Sequence, residues 1–217
     1  MLIRVISDVN FKISFAITAC NEHQELQELL AFVAQHKRDD DEIVVQCDLD
    51  NTTREVKEVI KAFRDQLGTV SYFPLNKDFG TYKNNLKSLC QGDYIFQLDA
   101  DELPSLELVA HLHLLLEANP DVDLFCVPRI NTVEGLKREH LKKWKWELNE
   151  REWVNWPDYQ SRVFKNTFNI KWVNKVHEAI NGHSAMSHLP PEKKFAILHH
   201  KNIKKQVAQN NFYSQIT

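Results

Sequence analysis

Residues 94–104, Tyr94-Ile95-Phe96-Gln97-Leu98-Asp99-Ala100-Asp101-Glu102-Leu103-Pro104, decide how the chain reads. An aromatic and β-branched run of strand length stops at a set of acids, and Pro104 then suits the first turn of a helix. The run predicts a buried strand that delivers carboxylates to the carboxyl edge of a sheet, where open α/β sheets bind ligands. Asp99 and Asp101, with one residue between them, can both face one divalent cation, and a cation held there would clamp a diphosphate. The plainer reading is a solvated helix N-terminus, because acids favour that end of the helix dipole. The pattern alone leaves both open.

Upstream, Lys12–Cys20 is nearly continuous in apolar residues and predicts a first strand buried on both faces. Leu26, Leu29, Leu30 and Val33 then fall at helical spacing up to His36, with Asn21 available as N-cap. Glu42–Cys47 predicts a second strand, followed by Asp48-Leu49-Asp50-Asn51-Thr52-Thr53 and a helical stripe through Val56, Val59, Ile60, Phe63 and Leu67. Thr69–Pro74 predicts a third strand and Tyr82–Leu89 a helix. Downstream, Glu102–Ala118 predicts a helix with Leu106, Val109, Leu112, Leu115 and Leu116 on one side, stopped by Asn119-Pro120. Asp123–Pro128 predicts a fifth strand. This alternation implies an α/β domain, a Rossmann-like layered arrangement with a mostly parallel central sheet between helices. Acidic or polar residues close the first, second and fourth strands on what should be one edge.

After Arg129 the rhythm changes. Lys142–Trp156, with Trp144, Trp146, Trp153 and Trp156, reads as a helix or lid-like segment. Short strands are expected at Arg162–Phe164, Ile170–Val173 and Phe195–Leu198, and a helix over Asn202–Ile216. The reading is of a ligand-binding half, residues 1–135, and an extension, 136–217, packed on the same domain. Two of the tryptophans are expected to be buried and at least one to stack on the apolar face of a sugar.

The 217 residues suffice for one domain with a real core. Residues 1–136 carry 12 Lys and Arg against 23 Asp and Glu, and the remainder 15 against 7, so the rear is basic and suited to phosphates, an anionic acceptor or a membrane surface. No run is long and apolar enough to span a membrane, and Met1–Asn10 lacks the apolar segment of a signal peptide, so a cytoplasmic protein is expected and a processive membrane synthase is not. Cys20, Cys47, Cys90 and Cys126 show no Cys-x-x-Cys spacing and read as reduced core thiols. Only five glycines and no Gly-x-x-x-x-Gly-Lys loop argue against a P-loop enzyme.

Several stretches together resemble the family-two glycosyltransferases of the GT-A fold: Thr18-Ala19-Cys20-Asn21-Glu22, Asp48-Leu49-Asp50-Asn51-Thr52-Thr53, Asp78-Phe79-Gly80-Thr81-Tyr82-Lys83-Asn84-Asn85, Leu98-Asp99-Ala100-Asp101-Glu102, Pro157-Asp158-Tyr159-Gln160, Arg162-Val163-Phe164, and Trp172 with Val176-His177-Glu178. The resemblance implies a nucleotide-diphosphate sugar, a UDP-sugar first, across the strand edge. Ala19, Asn21 and Glu22 would line the donor, and Asp48 or Asp50 would accept from the uracil imide. The same resemblance brings Lys83 and Asn85 near ribose and diphosphate and Arg162 near phosphate. It makes Asp101 a metal ligand, Asp99 a contact to ribose or metal, and His177 the late ligand. Mn²⁺ or Mg²⁺ suits this set, the imidazole tilting it toward Mn²⁺. Inversion needs a carboxylate base, for which Asp158 comes first, with Glu102 and Glu150 as rivals. His199, His200 and Lys201 could reach the diphosphate. The acceptor could be a glycan, a lipid-linked sugar or a polynucleotide. Two other classes remain open: a nucleotidyltransferase using the same acids, and a non-catalytic nucleotide- or carbohydrate-binding module.

Overall fold

The apolar runs become the centre of one sheet, and alternation along them separates two cores. The computed structural model describes residues 11–213; the reading of Met1–Asn10 and the last residues of the expected C-terminal helix lie outside the described residues. The first half runs β1 (Ile13–Ala19), α1 (His23–His36), β2 (Glu42–Asp48), α2 (Arg54–Ala62), β3 (Thr69–Phe73), α3 (Phe79–Leu89), β4 (Tyr94–Asp99), β5 (Glu102–Pro104) and α4 (Leu106–Ala118). The second half adds β6 (Leu124–Glu134), α5 (Arg138–Trp144), β7 (Val154–Lys165), β8 (Lys171–Val173), β9 (Ala179–Asn181), β10 (Met186–His188), β11 (Ile197–Asn202) and α6 (Ile203–Tyr213). The large sheet has the order β3-β2-β1-β4-β7-β6-β11-β5, with β10 also on β6, and β8 and β9 form a separate pair. Its pairings are mostly parallel, and β7 and β5 run antiparallel to their neighbours.

Ile13, Phe15 and Ile17 of β1, with Phe96 and Leu98 of β4, pack against Leu26, Leu29, Leu30 and Val33 of α1 and Leu108, Leu112 and Leu116 of α4. The opposite face, Ala16, Val44 and Ile95, packs against Leu86 of α3 and Trp172 of β8. Each fully buried phenylalanine, such as Phe15 or Phe96, contributes roughly 1.5–3 kcal/mol. The four cysteines are free thiols, and all but Cys20 are buried. No helix of the described residues is long and apolar enough to cross a membrane.

The structure corrects several expected boundaries. Glu102-Leu103-Pro104 is a strand, not the start of a helix, paired with β11 through Ile197↔Pro104. Proline is tolerated there because β5 is the edge strand. Helix α4 begins instead at Leu106, where the Ser105 hydroxyl accepts from Leu108 N, and Leu106 stays exposed. Thr53 caps α2 by accepting from Val56 N. Glu22, not Asn21, occupies the cap position of α1. Lys142–Trp156 is helical only as far as Trp144, where α5 ends; Lys145 turns left-handed (φ 55°), the chain returns into the long strand β7, and none of its four tryptophans is fully buried.

Candidate active site

Parallel pairing brings the ends of β1, β2 and β4 to one edge, with Thr18 opposite Asp99 and Ala19 opposite Cys47. Strands β7, β6 and β11 extend that edge, and a ladder of charged side chains crosses it. Lys83, buried on α3, donates to Glu178 at 2.5 Å, lies 4.0 Å from Asp99 and sits 4.6 Å over the Trp172 ring. Asp99 accepts from Thr18 Oγ1 at 2.9 Å and from Arg162 Nη2 at 3.0 Å. Arg162 also donates to Glu102 at 2.6 Å, and Glu102 accepts from Arg129 at 2.8 Å. Arg129 reaches on to Asp158 through Nε (3.0 Å) and Nη2 (2.8 Å). Asn131 donates to Asp158 at 2.8 Å, and His199 Nδ1 lies 2.7 Å from Asn131 Oδ1. At the far end His199 Nε2 and Lys201 Nζ stand 3.4 and 3.5 Å from Asp101 Oδ2.

These partners set the ionisation. Burial pushes the Asp99 carboxyl up, but Lys83, Arg162 and the Thr18 hydroxyl hold it well below the carboxylate range. Burial likewise opposes the Asp101 anion, yet the His199 ring and Lys201 bring it down to about 2. Arg162, desolvated between Glu102 and Asp99, is held more firmly cationic than usual. The ladder is therefore five carboxylates against four permanent cations. The His199 imidazole is the further ladder group that can carry positive charge.

The tautomer of His199 follows from its neighbours. An ionised Asp158 only accepts, so Asn131 must turn its NH₂ toward it and its oxygen toward His199. An amide oxygen also only accepts, so His199 Nδ1 carries a proton. With Nδ1 committed to Asn131, Nε2 faces Asp101 Oδ2 at 3.4 Å, where either a proton on Nε2 or a divalent cation can join the two.

Other expected positions fall differently. Glu22 Oε2 accepts from Cys20 N and Asn21 N, both at 2.9 Å, and shapes the turn after β1. Ala19 is buried in the core and Asn21 is exposed. Asp48 accepts from Asp50 N, Leu75 N and Asn51 Nδ2, tying the turns after β2 and β3 together, while Asp50 is exposed at the same turn. Asn85, expected at the ribose and diphosphate, instead donates to Gln46 of β2 at 2.7 Å, because that fully buried amide needs partners beneath α3. Asp158 Oδ2 takes donors from Arg129 and Asn131 and Oδ1 takes one from Gln160, so the expected base is tied into the ladder mainly through one of its two oxygens. Glu102 is 1% exposed and accepts from both Arg162 and Arg129. Glu150 is exposed in the turn that follows α5. Among the described residues no three His, Cys, Asp or Glu gather to hold an ion, so Asp99, Asp101 and His177 do not form a ready site. Asp99 is spent on Arg162 and Thr18, and Asp101 faces His199.

Against this geometry, the sequence matches the model for glycosyl transferase family 2 over residues 14–188. The chain belongs to that family. No curated protein matches the sequence. Among solved structures, S. aureus TarS 1–349 is 14% identical with a TM-score of 0.61, covering 91% of this chain and 62% of its own. The same TarS fragment in complex with UDP-GlcNAc scores 0.63 at 14% identity, over 88% and 58% of the two chains. A mannosyltransferase from Pyrobaculum calidifontis, PcManGT, in complex with GDP-Man and Mn²⁺, is 17% identical with a TM-score of 0.54, over 87% and 56%. The chain therefore spans about three fifths of the length of these neighbours and shares the GT-A type fold with them. Relative to the family-two pattern read from the sequence, the structure adds Arg129 and Asn131, pairs Glu178 of that pattern with Lys83, and brings His199 and Lys201 to Asp101. An arginine closing an otherwise apolar strand was the one signal for Arg129. Nothing local distinguishes His199 from His177; that takes the pairing of β11 with both β6 and β5.

Proposed function

We propose that this family-two domain is a metal-dependent, inverting glycosyltransferase that moves a sugar from a nucleotide-diphosphate sugar, first a UDP-sugar, to an acceptor hydroxyl. The observation that carries the reading is the Asp101–His199 pair, 3.4 Å apart at the strand edge, with His199 Nδ1 committed to Asn131 and Nε2 turned to the carboxylate. A carboxylate oxygen and an imidazole nitrogen suit Mn²⁺ ahead of Mg²⁺. Asp101 and His199 would hold the ion, which when bound neutralises the charge of the departing diphosphate as a Lewis acid. Two protein ligands leave most of the coordination sphere to phosphate oxygens and water.

Lys201, beside Asp101, lies where its ammonium can meet the same diphosphate. Asp50, exposed after β2, is the group left to read the base, since Asp48 is consumed by its own turn. For the base we assign Glu178. Its side-chain partner is Lys83 at 2.5 Å, and its side chain is 18% exposed at the edge. Glu178 takes the proton of the acceptor hydroxyl as that oxygen bonds to the anomeric carbon. The bond from that carbon to the diphosphate oxygen breaks on the opposite face, its electron pair leaving with the diphosphate. Arg162 and Arg129 do not meet substrate; they hold Asp99, Glu102 and Asp158 in place.

The test is nucleoside diphosphate release from UDP-glucose, UDP-GlcNAc and GDP-mannose in Mn²⁺, water serving as the slow acceptor. One donor should turn over, and Asp101→Ala should abolish its turnover. Pyrophosphate release from UTP and a sugar phosphate, with no diphosphate release from any donor, would make the domain a nucleotidyltransferase.

A further inference from the structure

The segment between β6 and β7 carries more aromatic surface than the fold needs. Trp144, Trp146, Trp153 and Trp156 are all half-buried, none in the core. They pack on one another in pairs, Trp144 on Trp146 with ring centres 4.8 Å apart and Trp153 edge-on to Trp156 at 4.9 Å, and His140 stacks on Trp144 at 5.2 Å. Beside them lies a cavity of about 300 Å³ lined by Glu147, Leu148, Asn149, Asn155 and Trp156. Its frame is fixed: Asn155 Oδ1 accepts from Glu147 N, and Asn149 Oδ1 accepts from Arg151 N and Trp153 N. That leaves the two amide NH₂ groups and the Glu147 carboxylate for a ligand. An indole wall with amide donors and a carboxylate acceptor is the chemistry that recognises a pyranose, apolar on its faces and hydroxylated around its rim.

The location ties this cavity to the reaction edge. Asn131 pairs with Val154 and Arg129 with Asp158 across β6 and β7, so Asn155 and Trp156 lie between two rungs of the charged ladder. Trp156 is two residues before Asp158 in the chain, in the bulge that interrupts the β6–β7 pairing.

We propose that this arm is a saccharide subsite that seats the acceptor, making the acceptor a pyranose-containing glycan; its role as acceptor site rests on the transferase reading above. Lys142, Lys143 and Lys145 beside the tryptophans also suit an anionic bilayer, but Glu147, Glu150 and Glu152 are interspersed on the same exposed arm and would oppose one. Trp156, moreover, is a wall of a polar cavity, and each of the four indoles packs on another instead of standing as a free wedge.

The experiment is retention of the fluorescently labelled full chain on an array of immobilised neutral and acidic pyranose glycans. Trp156→Ala and Glu147→Ala serve as variants, with circular dichroism to confirm folding. Glu147 is exposed, so its variant tests the subsite even if Trp156→Ala loosens the arm. The wild type should retain one class of glycan, and each variant should weaken retention about tenfold. No glycan retained by the wild type, or retention unchanged in both variants, overturns the proposal. Binding to phosphatidylglycerol vesicles without binding to any glycan would overturn it in favour of a membrane contact. Donor binding is read separately on the wild type by thermal shift with UDP. Glycan retention without that shift would leave the subsite standing and remove the transferase reading.

Discussion

Replacing Arg162 with methionine removes the cation that joins two carboxylates in the interior of the edge. The guanidinium is 4% exposed, donates to Asp99 at 3.0 Å and to Glu102 at 2.6 Å, and Glu102 is itself fully buried. Removing one partner of a buried pair costs about 3–5 kcal/mol, because the remaining charge stays desolvated. Here Glu102 keeps Arg129 at 2.8 Å and Asp99 keeps the Thr18 hydroxyl and the more distant Lys83, which argues for the lower end, about 3 kcal/mol. Urea unfolding of wild type and Arg162→Met at pH 7 measures it, provided the slope is unchanged. The second arm is Arg162→Met with Glu102→Gln. If the cost comes from a stranded carboxylate, neutralising it should return about 1–2 kcal/mol, so the double variant is more stable than the single one. A loss under about 1 kcal/mol, or a double variant whose losses simply add, would refute the reasoning.

Asp158→Asn should leave the ionisation that controls kcat in place, because Glu178 and not Asp158 takes the proton. By freeing Asn131 to flip, however, it should raise the Mn²⁺ concentration for half-activity about 10–100-fold. Loss of the acidic limb of the kcat profile would restore Asp158 as base. Asp123 is held at about 2 by the Lys165 ammonium and by Ser184 and Ala185 N–H. A folded-state value below the unfolded one gives stability that is present above about pH 4 and lost as pH falls toward 2. Asp123→Asn should therefore cost about 1–2 kcal/mol at pH 7, less than the full shift because water screens the site, and almost nothing near pH 2. Denaturant midpoints across that range check it; a pH-independent cost counts against it. A Cβ on Gly80 would sit 2.5 Å from the Asn174 carbonyl, so Gly80→Ala should cost about 1–3 kcal/mol and weaken nucleotide binding by separating Lys83 from Glu178. Unchanged stability and affinity would show that α3 is not fixed there.

The sheet was legible because Lys12–Cys20, Glu42–Cys47 and Tyr94–Leu98 are apolar on both faces, and only a central strand tolerates that. The acids at its edge were legible for the same reason: each ends such a run. Strand β5 was not, since three residues carry no period and its partner Ile197 is far along the chain. The tryptophans misled because aromatic content implies burial only when a core is within reach, and these sit on an arm beyond the sheet. The late histidines show the same limit. His177 lies in the more telling motif, but strand order delivers His199 to Asp101. Asp158 was read by its place after Trp156-Pro157; the donors that β6 brings to its Oδ2, Arg129 and Asn131, are visible only once the strands pair.

The measurement closest to the centre of this account is the unfolding temperature with UDP and GDP, each with and without Mn²⁺, for wild type, Asp101→Ala and His199→Ala. One nucleotide at about 100 times its dissociation constant should stabilise the wild type by about 2.7 kcal/mol, or roughly 5–10 °C, only when Mn²⁺ is present and in neither variant. The same rise without metal, in His199→Ala, or lost only in His177→Ala, would contradict it.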